Sequence, residues 1–287
     1  MTLLGFRRWI WWFTVFDFFR LQYIVLQLIL FVISLYFASW ILVIVNLIGL
    51  SINVSRIKKF IPSFKKNISA QKRDILCINV FKDNDDYDTL RCVLKESNPE
   101  ILLIMEVTDS LEENLEKLIG DYKYRLQTPV RDGFSICLLS KHKMHKPDIT
   151  FHGPSKTPLL HAEIEFKHNR YHIFSAHPKP ALSKKWYHER RVYFEEISKV
   201  IQKSELQPIV LGDFNSVPWE RHFVDFCHQT NLMSTAEGYG YPVTWPTYCL
   251  PLGIPMDHIL LPVGHPYSNL KIGPHAGSDH YPIAIDL

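Results

Sequence analysis

Polar residues with metal- and phosphate-binding chemistry recur where short apolar runs begin or end. Asn79 falls near the end of the run 75–80, and Glu106 directly follows the run 101–105. His177 follows residues 171–176, and Gly212-Asp213-Phe214-Asn215 follows residues 209–211. Asp257 opens the run 257–261, and Ser278-Asp279-His280 precedes the run 281–287. Carboxylate oxygens such as those of Glu106 and Asp279 suit Mg²⁺ or Mn²⁺. Neutral amides can bond phosphate oxygens, and imidazoles can donate to a developing oxyanion. Taken singly, each residue has a plainer reading. Asn79 and Gly-Asp-Phe-Asn suit turns, Glu106 a solvated strand end, and His177 before Pro178 a loop. Asp257 and Asp279 could cap turns, and His280 could be an ordinary core or surface histidine. Repetition at strand ends outweighs these readings and points to one metal and phosphate site.

Such a site needs a sheet scaffold to bring residues 79 to 280 together. The continuous apolar runs 75–80 and 101–105 read as buried central strands. Residues 160–166 alternate, which predicts a strand with one exposed face. Runs 171–176, 209–211, 257–261 and 281–287 complete the strand set. Leu111, Leu115, Leu118 and Ile119 recur at helical spacing, with Asp109 or Ser110 as cap. A second helix is expected over 191–203, and a third after Ser216-Val-Pro218, an N-cap and early-turn proline pattern. No solenoid repeat or low-complexity tract interrupts the chain.

The N-terminal part is different. Residues 21–55 form a 35-residue run without a charged side chain, against the ~20 apolar residues that cross a bilayer. As one helix it would reach ~52 Å at ~1.5 Å per residue, so a hairpin turning near Ser39-Trp40 is preferred to one long span. Residues 6–13, aromatic and basic together, suit a membrane interface. A cleaved signal peptide would need a shorter apolar stretch and a small-residue cleavage site, and neither is clear. Up to Lys66 there are eight basic residues and one acid, which leaves 24 basic and 28 acidic residues beyond it. The positive surplus therefore flanks the membrane segment and favours a cytoplasmic catalytic face. The net-acidic remainder argues against avid, non-specific duplex binding. The five cysteines have no zinc spacing, and Cys77 and Cys137 lie in apolar runs, as buried reduced thiols do. The division is an anchor over 1–56, a polar linker over 57–73 and a catalytic domain over 74–287.

In order, Asn79-Val80, Met105-Glu106, Ala176-His177-Pro178, Gly212-Asp213-Phe214-Asn215, Asp257-His258-Ile259-Leu260 and Gly277-Ser278-Asp279-His280 resemble the endonuclease/exonuclease/phosphatase superfamily. The anchor, with Thr244-Trp245-Pro246 and Ile254-Pro-Met-Asp-His258, is most similar to a membrane-anchored bacterial branch, which implies an inner-membrane location. Met105 and the Ala176 and Pro178 neighbours of His177 depart from the common pattern of that group. The resemblance implies a four-layer α/β sandwich of two packed mixed sheets. It also implies Mg²⁺ or Mn²⁺ held by Glu106, Asn79 and Asp279. Asp213 would orient or deprotonate water, Asn215 would hold that water or a phosphate oxygen, and His280 paired with Asp257 would bind phosphate. His177 would stabilise charge on the phosphoryl or leaving oxygen. The expected activity is hydrolysis of a phosphoester: a phospholipid head group, a nucleic acid or a small soluble ester. The anchor tilts the choice towards a membrane substrate, while Lys184, Lys185, Arg190 and Arg191 keep nucleic acid open. The competing reading is an inactive membrane scaffold that keeps the fold as a binding module. No protein partner is implied.

Overall fold

Alternation along the central strands decides the layering of this protein, whose computed structural model describes residues 11–62, 73–130 and 134–287. One sheet runs β11 (Ser268–Ile272), β12 (Ile283–Asp286), β1 (Ile75–Asn79), β2 (Ile101–Met105), β4 (Ile136–Ser140), β3 (Tyr124–Gln127). The other runs β5 (Met144–His152), β6 (Thr157–Phe166), β7 (Asn169–Ala176), β8 (Gln207–Asp213), β10 (Asp257–Pro262), β9 (Leu232–Ser234). Both are mixed: β1 pairs with β2 and β7 with β8 in parallel, and the other pairs are antiparallel. Successive side chains leave opposite faces of a strand. Ile75, Cys77, Ile101, Leu103 and Leu138 therefore meet Ile173, Ile209, Leu211, Ile259 and Leu261 between the sheets. Leu76, Ile78, Leu102 and Ile104 turn outward onto α4 (Tyr87–Ser97) and α5 (Asp109–Ile119). Phe174, Val210 and Leu260 turn outward onto α6 (Lys184–Ile201) and α7 (Arg221–Thr230). The result is the expected four-layer sandwich.

The apolar run beyond Leu21 folds as two packed antiparallel helices, α2 (Arg20–Tyr36) and α3 (Trp40–Ile57), after a short turn of helix α1 (Val15–Phe18). The reversal at Phe37–Ser39 lies at the expected turn, with Ser39 N–H bonding Ser34 O at 2.9 Å. One helical stretch among the described residues, Trp40–Phe60, is by itself long and apolar enough to cross a membrane. Part of the expected linker is instead structural. Ile57 ends α3, and Phe60, in the 3₁₀ turn Lys58–Phe60, stacks edge-on to Trp219 at 5.5 Å within the inter-sheet core. Residues 6–10 of the aromatic, basic stretch and 63–72 of the linker lie outside the described residues.

Two helix starts differ from expectation. Thr108, rather than Asp109 or Ser110, caps α5, accepting Leu111 N–H at 3.2 Å. Ser216 does not cap α7, which begins at Arg221; its hydroxyl donates to Glu220 because that carboxylate is committed to a buried ion pair. The second expected helix starts earlier, at Lys184, with Ser183 as cap.

On β7, His172 lies against Phe174 at 4.1 Å and against His161, whose Nδ1 is 3.2 Å from its Nε2. Burial, followed by the neighbouring His161, pushes its pKa down to about 4. The unfolded ring protonates near ~6.5, so this group's stabilisation is complete above that value and is lost as pH falls towards about 4. His172→Phe keeps the stacking without the titration. Its melting temperature should fall less than the parent's on acidification from about pH 7 to about pH 5; an identical fall in both would contradict this.

Candidate active site

The site is the polar continuation of the inter-sheet core. The parity that turns Ile75 and Cys77 inward also turns Asn79 inward, at the end of β1. On β8, Ile209 and Leu211 are followed inward by Asp213; on β10, Asp257 precedes Ile259 and Leu261; beyond β7, His177 follows Ile173 and Ser175. All four polar residues are buried. Gly212 permits the close approach: a Cβ there would lie 1.8 Å from the Ala176 carbonyl oxygen, just before His177. Strand alternation alone would aim Glu106 at the helical layer. Its left-handed backbone (φ 60°) ends β2 and turns the carboxylate back, at a typical cost of ~1–3 kcal/mol.

Hydrogen bonds connect these groups into one network. The Asn79 amide donates to Glu106 Oε1 at 2.9 Å and to Asp213 Oδ2 at 3.2 Å, while its Oδ1 accepts Phe81 N–H at 3.0 Å. Glu106 Oε2 accepts Lys82 N–H at 2.9 Å. His177 Nε2 faces Asp213 Oδ2 at 3.6 Å and Glu106 Oε1 at 4.0 Å. Asn215 donates its backbone N–H to Asp213 Oδ1 at 2.7 Å and its amide to Pro178 O at 2.9 Å.

Asp213 and Asp257 are direct partners across antiparallel strands. His280 lies against both, with Nδ1 donating to Asp257 Oδ2 at 2.8 Å and Nε2 3.8 Å from Asp213 Oδ2. Burial alone would lower the His280 pKa; the Asp257 charge and hydrogen bond, then Asp213 and Asp279, hold it well above the ordinary histidine range. Burial would likewise raise Asp213, but the adjacent His177 ring, the charge of His280 and the Asn215 N–H hydrogen bond hold it below the usual carboxylate range. Asp213, Asp257 and His280 offer ligand atoms within 4.8 Å of one another. A protonated imidazole cannot ligate a cation, so with His280 charged the triad is an ion-paired cluster. The oxygen donors outside the triad are Glu106 and Asp279. Asp279 accepts Trp245 Nε1–H at 3.0 Å through Oδ2, and its buried Oδ1 has no hydrogen-bond partner among the described residues. Its carboxylate, like that of Glu106, is a hard-oxygen donor of the kind Mg²⁺ or Mn²⁺ takes.

The residues singled out from sequence thus gather at one end of the sandwich. Several that hold them there were not singled out. The Ser278 hydroxyl donates to Asn79 O at 2.7 Å and accepts His280 N–H at 3.0 Å. Thr244 Oγ1 accepts the Met256 and Asp257 N–H groups at 2.9 and 3.1 Å. Arg190 is a correction: it is fully buried, paired with Glu220 at 2.7 and 2.8 Å, and also donates to Asn215 O. It therefore cannot belong to a basic nucleic-acid patch with Lys184, Lys185 and Arg191. A Ser-x-x-x-Glu spacing after Gly-Asp-Phe-Asn was the only local hint of that pair.

Asp213→Asn keeps shape while removing charge, and His280→Ala removes a phosphate donor. Each should lower turnover by ~10²–10⁴-fold. The melting temperature should stay within a few degrees of the parent's in Asp213→Asn, whereas His280→Ala should also lower it, because Asp213 and Asp257 are left facing one another without a cation. Near-normal turnover with a lowered melting temperature, measured on both variants, would assign these side chains a structural role instead.

Comparison with known proteins agrees with this geometry. Residues 76–280 match the model of the Endonuclease/Exonuclease/phosphatase family. No curated protein sequence matches the chain. Among solved structures, D. rerio TDP2 complexed with a single-strand DNA product is similar over 74% of this chain and 98% of its own, at 17% identity and a TM-score of 0.61. Sphingomyelinase C from Streptomyces griseocarneus covers 75% of this chain and 98% of its own, at 15% identity and a TM-score of 0.55. An endonuclease/exonuclease/phosphatase from Beutenbergia cavernae covers 75% and 71%, at 13% identity and a TM-score of 0.59. At such identities these likenesses concern the fold, whereas the family match spans all the site residues. The chain belongs to the Endonuclease/Exonuclease/phosphatase family, and its chemistry is that of a phosphoester hydrolase.

Proposed function

We propose that this protein is a membrane-tethered phosphoester hydrolase that depends on Mg²⁺ or Mn²⁺. The observation that carries the reading is the buried His280 held between Asp213 and Asp257, beside the Glu106–Asn79 pair. Glu106 and Asp279, with Asn79 alongside, are the residues that would hold the ion. Bound there, it would supply Lewis-acid stabilisation of charge on the phosphoryl group.

The remaining chemistry rests on this chain's own side chains. Asp213, kept ionised, accepts a hydrogen bond from the attacking water and aligns it. Its depressed pKa makes it a better orienting group than a store for the proton, which passes to a phosphoryl or leaving oxygen as the new P–O bond forms and the bond to the leaving oxygen breaks. Asn215 holds the water or a phosphate oxygen, its position fixed by Asp213 Oδ1 and Pro178 O. His280, protonated and braced by Asp257, donates to a phosphoryl oxygen. His177 stabilises charge on the phosphoryl or leaving oxygen. No covalent intermediate is needed when charge is stabilised this way.

The tether is the α2–α3 hairpin. Its outward residues, among them Val25, Leu26, Ile29, Ile41, Ile44 and Ile48, are exposed and apolar. Each helix reaches ~26 Å at ~1.5 Å per residue, close to the ~30 Å hydrocarbon thickness. A hairpin leaves both ends on one side, and Arg56, Lys58 and Lys59 at its base favour the cytoplasmic face of a bacterial inner membrane.

The full chain in detergent should hydrolyse bis(p-nitrophenyl) phosphate when Mg²⁺ or Mn²⁺ is added and stop in excess chelator. Full turnover of that ester in chelator would overturn metal dependence.

A further inference from the structure

The loop that holds Asp279 in place is tied at its other end to the base of the hairpin. Trp245 and Ile254 bridge by backbone hydrogen bonds of 3.1 and 2.7 Å, so residues 246–253 project as a loop. At its start, Trp245 Nε1–H holds Asp279 Oδ2, Thr247 N–H bonds Asp279 O at 2.9 Å, and the Thr247 hydroxyl bonds Ser278 O at 2.9 Å. At its end, the Gln22 amide of α2 donates to Pro251 O at 3.2 Å and Gly253 O at 3.1 Å. Between these fixed points the side chains are apolar and open: Tyr248 is 77% exposed, Leu250 59% and Leu252 52%.

A cluster of large apolar side chains at the rim of a hydrolytic site needs an apolar partner. The hairpin identifies it. Gln22 precedes the first exposed apolar residues of α2, Val25 and Leu26, by about one helical turn, or ~5 Å. The loop therefore sits level with the edge of the apolar band. Tyrosine and leucine at that depth suit the headgroup–acyl boundary.

Building on the hydrolase reading above, we infer that Tyr248, Leu250 and Leu252 seat in the bilayer surface beside the hairpin and turn the site towards the headgroup layer. The substrate class is then the phosphoester of a membrane lipid. Each apolar side chain taken out of water at the bilayer surface adds to the seating.

Two measurements on the full-length chain, reconstituted in nanodiscs of phosphatidylethanolamine and phosphatidylglycerol, test the inference. A photo-reactive benzophenone side chain at position 250 should crosslink to lipid, whereas one at exposed Lys271 should not. The triple variant Tyr248→Ser, Leu250→Ser, Leu252→Ser should keep its turnover of bis(p-nitrophenyl) phosphate. Its release of phosphorylated headgroup or phosphate from the nanodisc lipid should fall by about tenfold or more. A crosslink from position 250 to a second copy of the chain, or equal lipid turnover in parent and variant, would overturn the lipid-facing rim. So would a parent that cleaves the soluble ester or single-stranded DNA but no nanodisc lipid. Failure of the parent on every ester would instead count against the hydrolase reading.

Discussion

Two carboxylates, Asp213 and Asp257, face one another from neighbouring antiparallel strands in the buried end of this sandwich. Like charges directly opposite on a sheet destabilise it, and a low dielectric magnifies their repulsion. His280 resolves the conflict as a cation bonded to one and close to the other. Much of the architecture serves that arrangement. The β8–β10 register places the two acids, Thr244 fixes the start of β10, and the approach to β12 delivers His280. Without the imidazolium the pair would have to separate or take up a proton, first at Asp257, whose carboxyl burial already pushes upward.

The second constraint is continuity. One inter-sheet core supplies packing over most of its length and chemistry at its end, because side-chain parity does not change where apolar residues give way to polar ones. The helical hairpin joins the same construction rather than hanging from it. Trp219 donates its indole N–H to Asp17 O at 2.5 Å and packs on Phe60. Trp219 lies in the segment that runs from Asn215 to Glu220, which Arg190 clasps at both ends. Breaking one half of such a buried ion pair typically costs ~3–5 kcal/mol. Loop 213–220 is thus braced by α6 on one side and by α1 and the Lys58–Phe60 turn on the other.

The central strands were legible because burial on both faces requires four or five apolar residues in succession, as in Ile101–Met105. Strands β3, β5, β9 and β11 were not, because they are short, polar or bulged. β5 carries Lys146, Asp148 and two histidines, and β11 shifts register between Ser268 and Lys271. The apolar strand β4 and the helix α4 do carry legible patterns, Ile136–Ser140 as a continuous buried run and Leu90, Val93 and Leu94 at helical spacing. At the site, position at the beginning or end of a strand marked the candidate residues. Their supports have no local signature: Arg190 sits in a stretch that reads as a solvated basic helix face, and only the tertiary fold shows Glu220 waiting for it. Trp245 could be read as packing until its indole N–H is found on Asp279.

The protonation state of His280 tests this account most directly. Nitrogen-15 NMR of histidine-labelled protein should show both ring nitrogens of His280 carrying protons from about pH 6 to about pH 8, with the resonance assigned through His280→Ala. In Asp257→Asn the same ring should titrate at lower pH, because its strongest charge partner is gone. A His280 ring that is neutral at about pH 7 in the parent, or that titrates unchanged in Asp257→Asn, would contradict an ion-paired imidazolium as the organising element of the site.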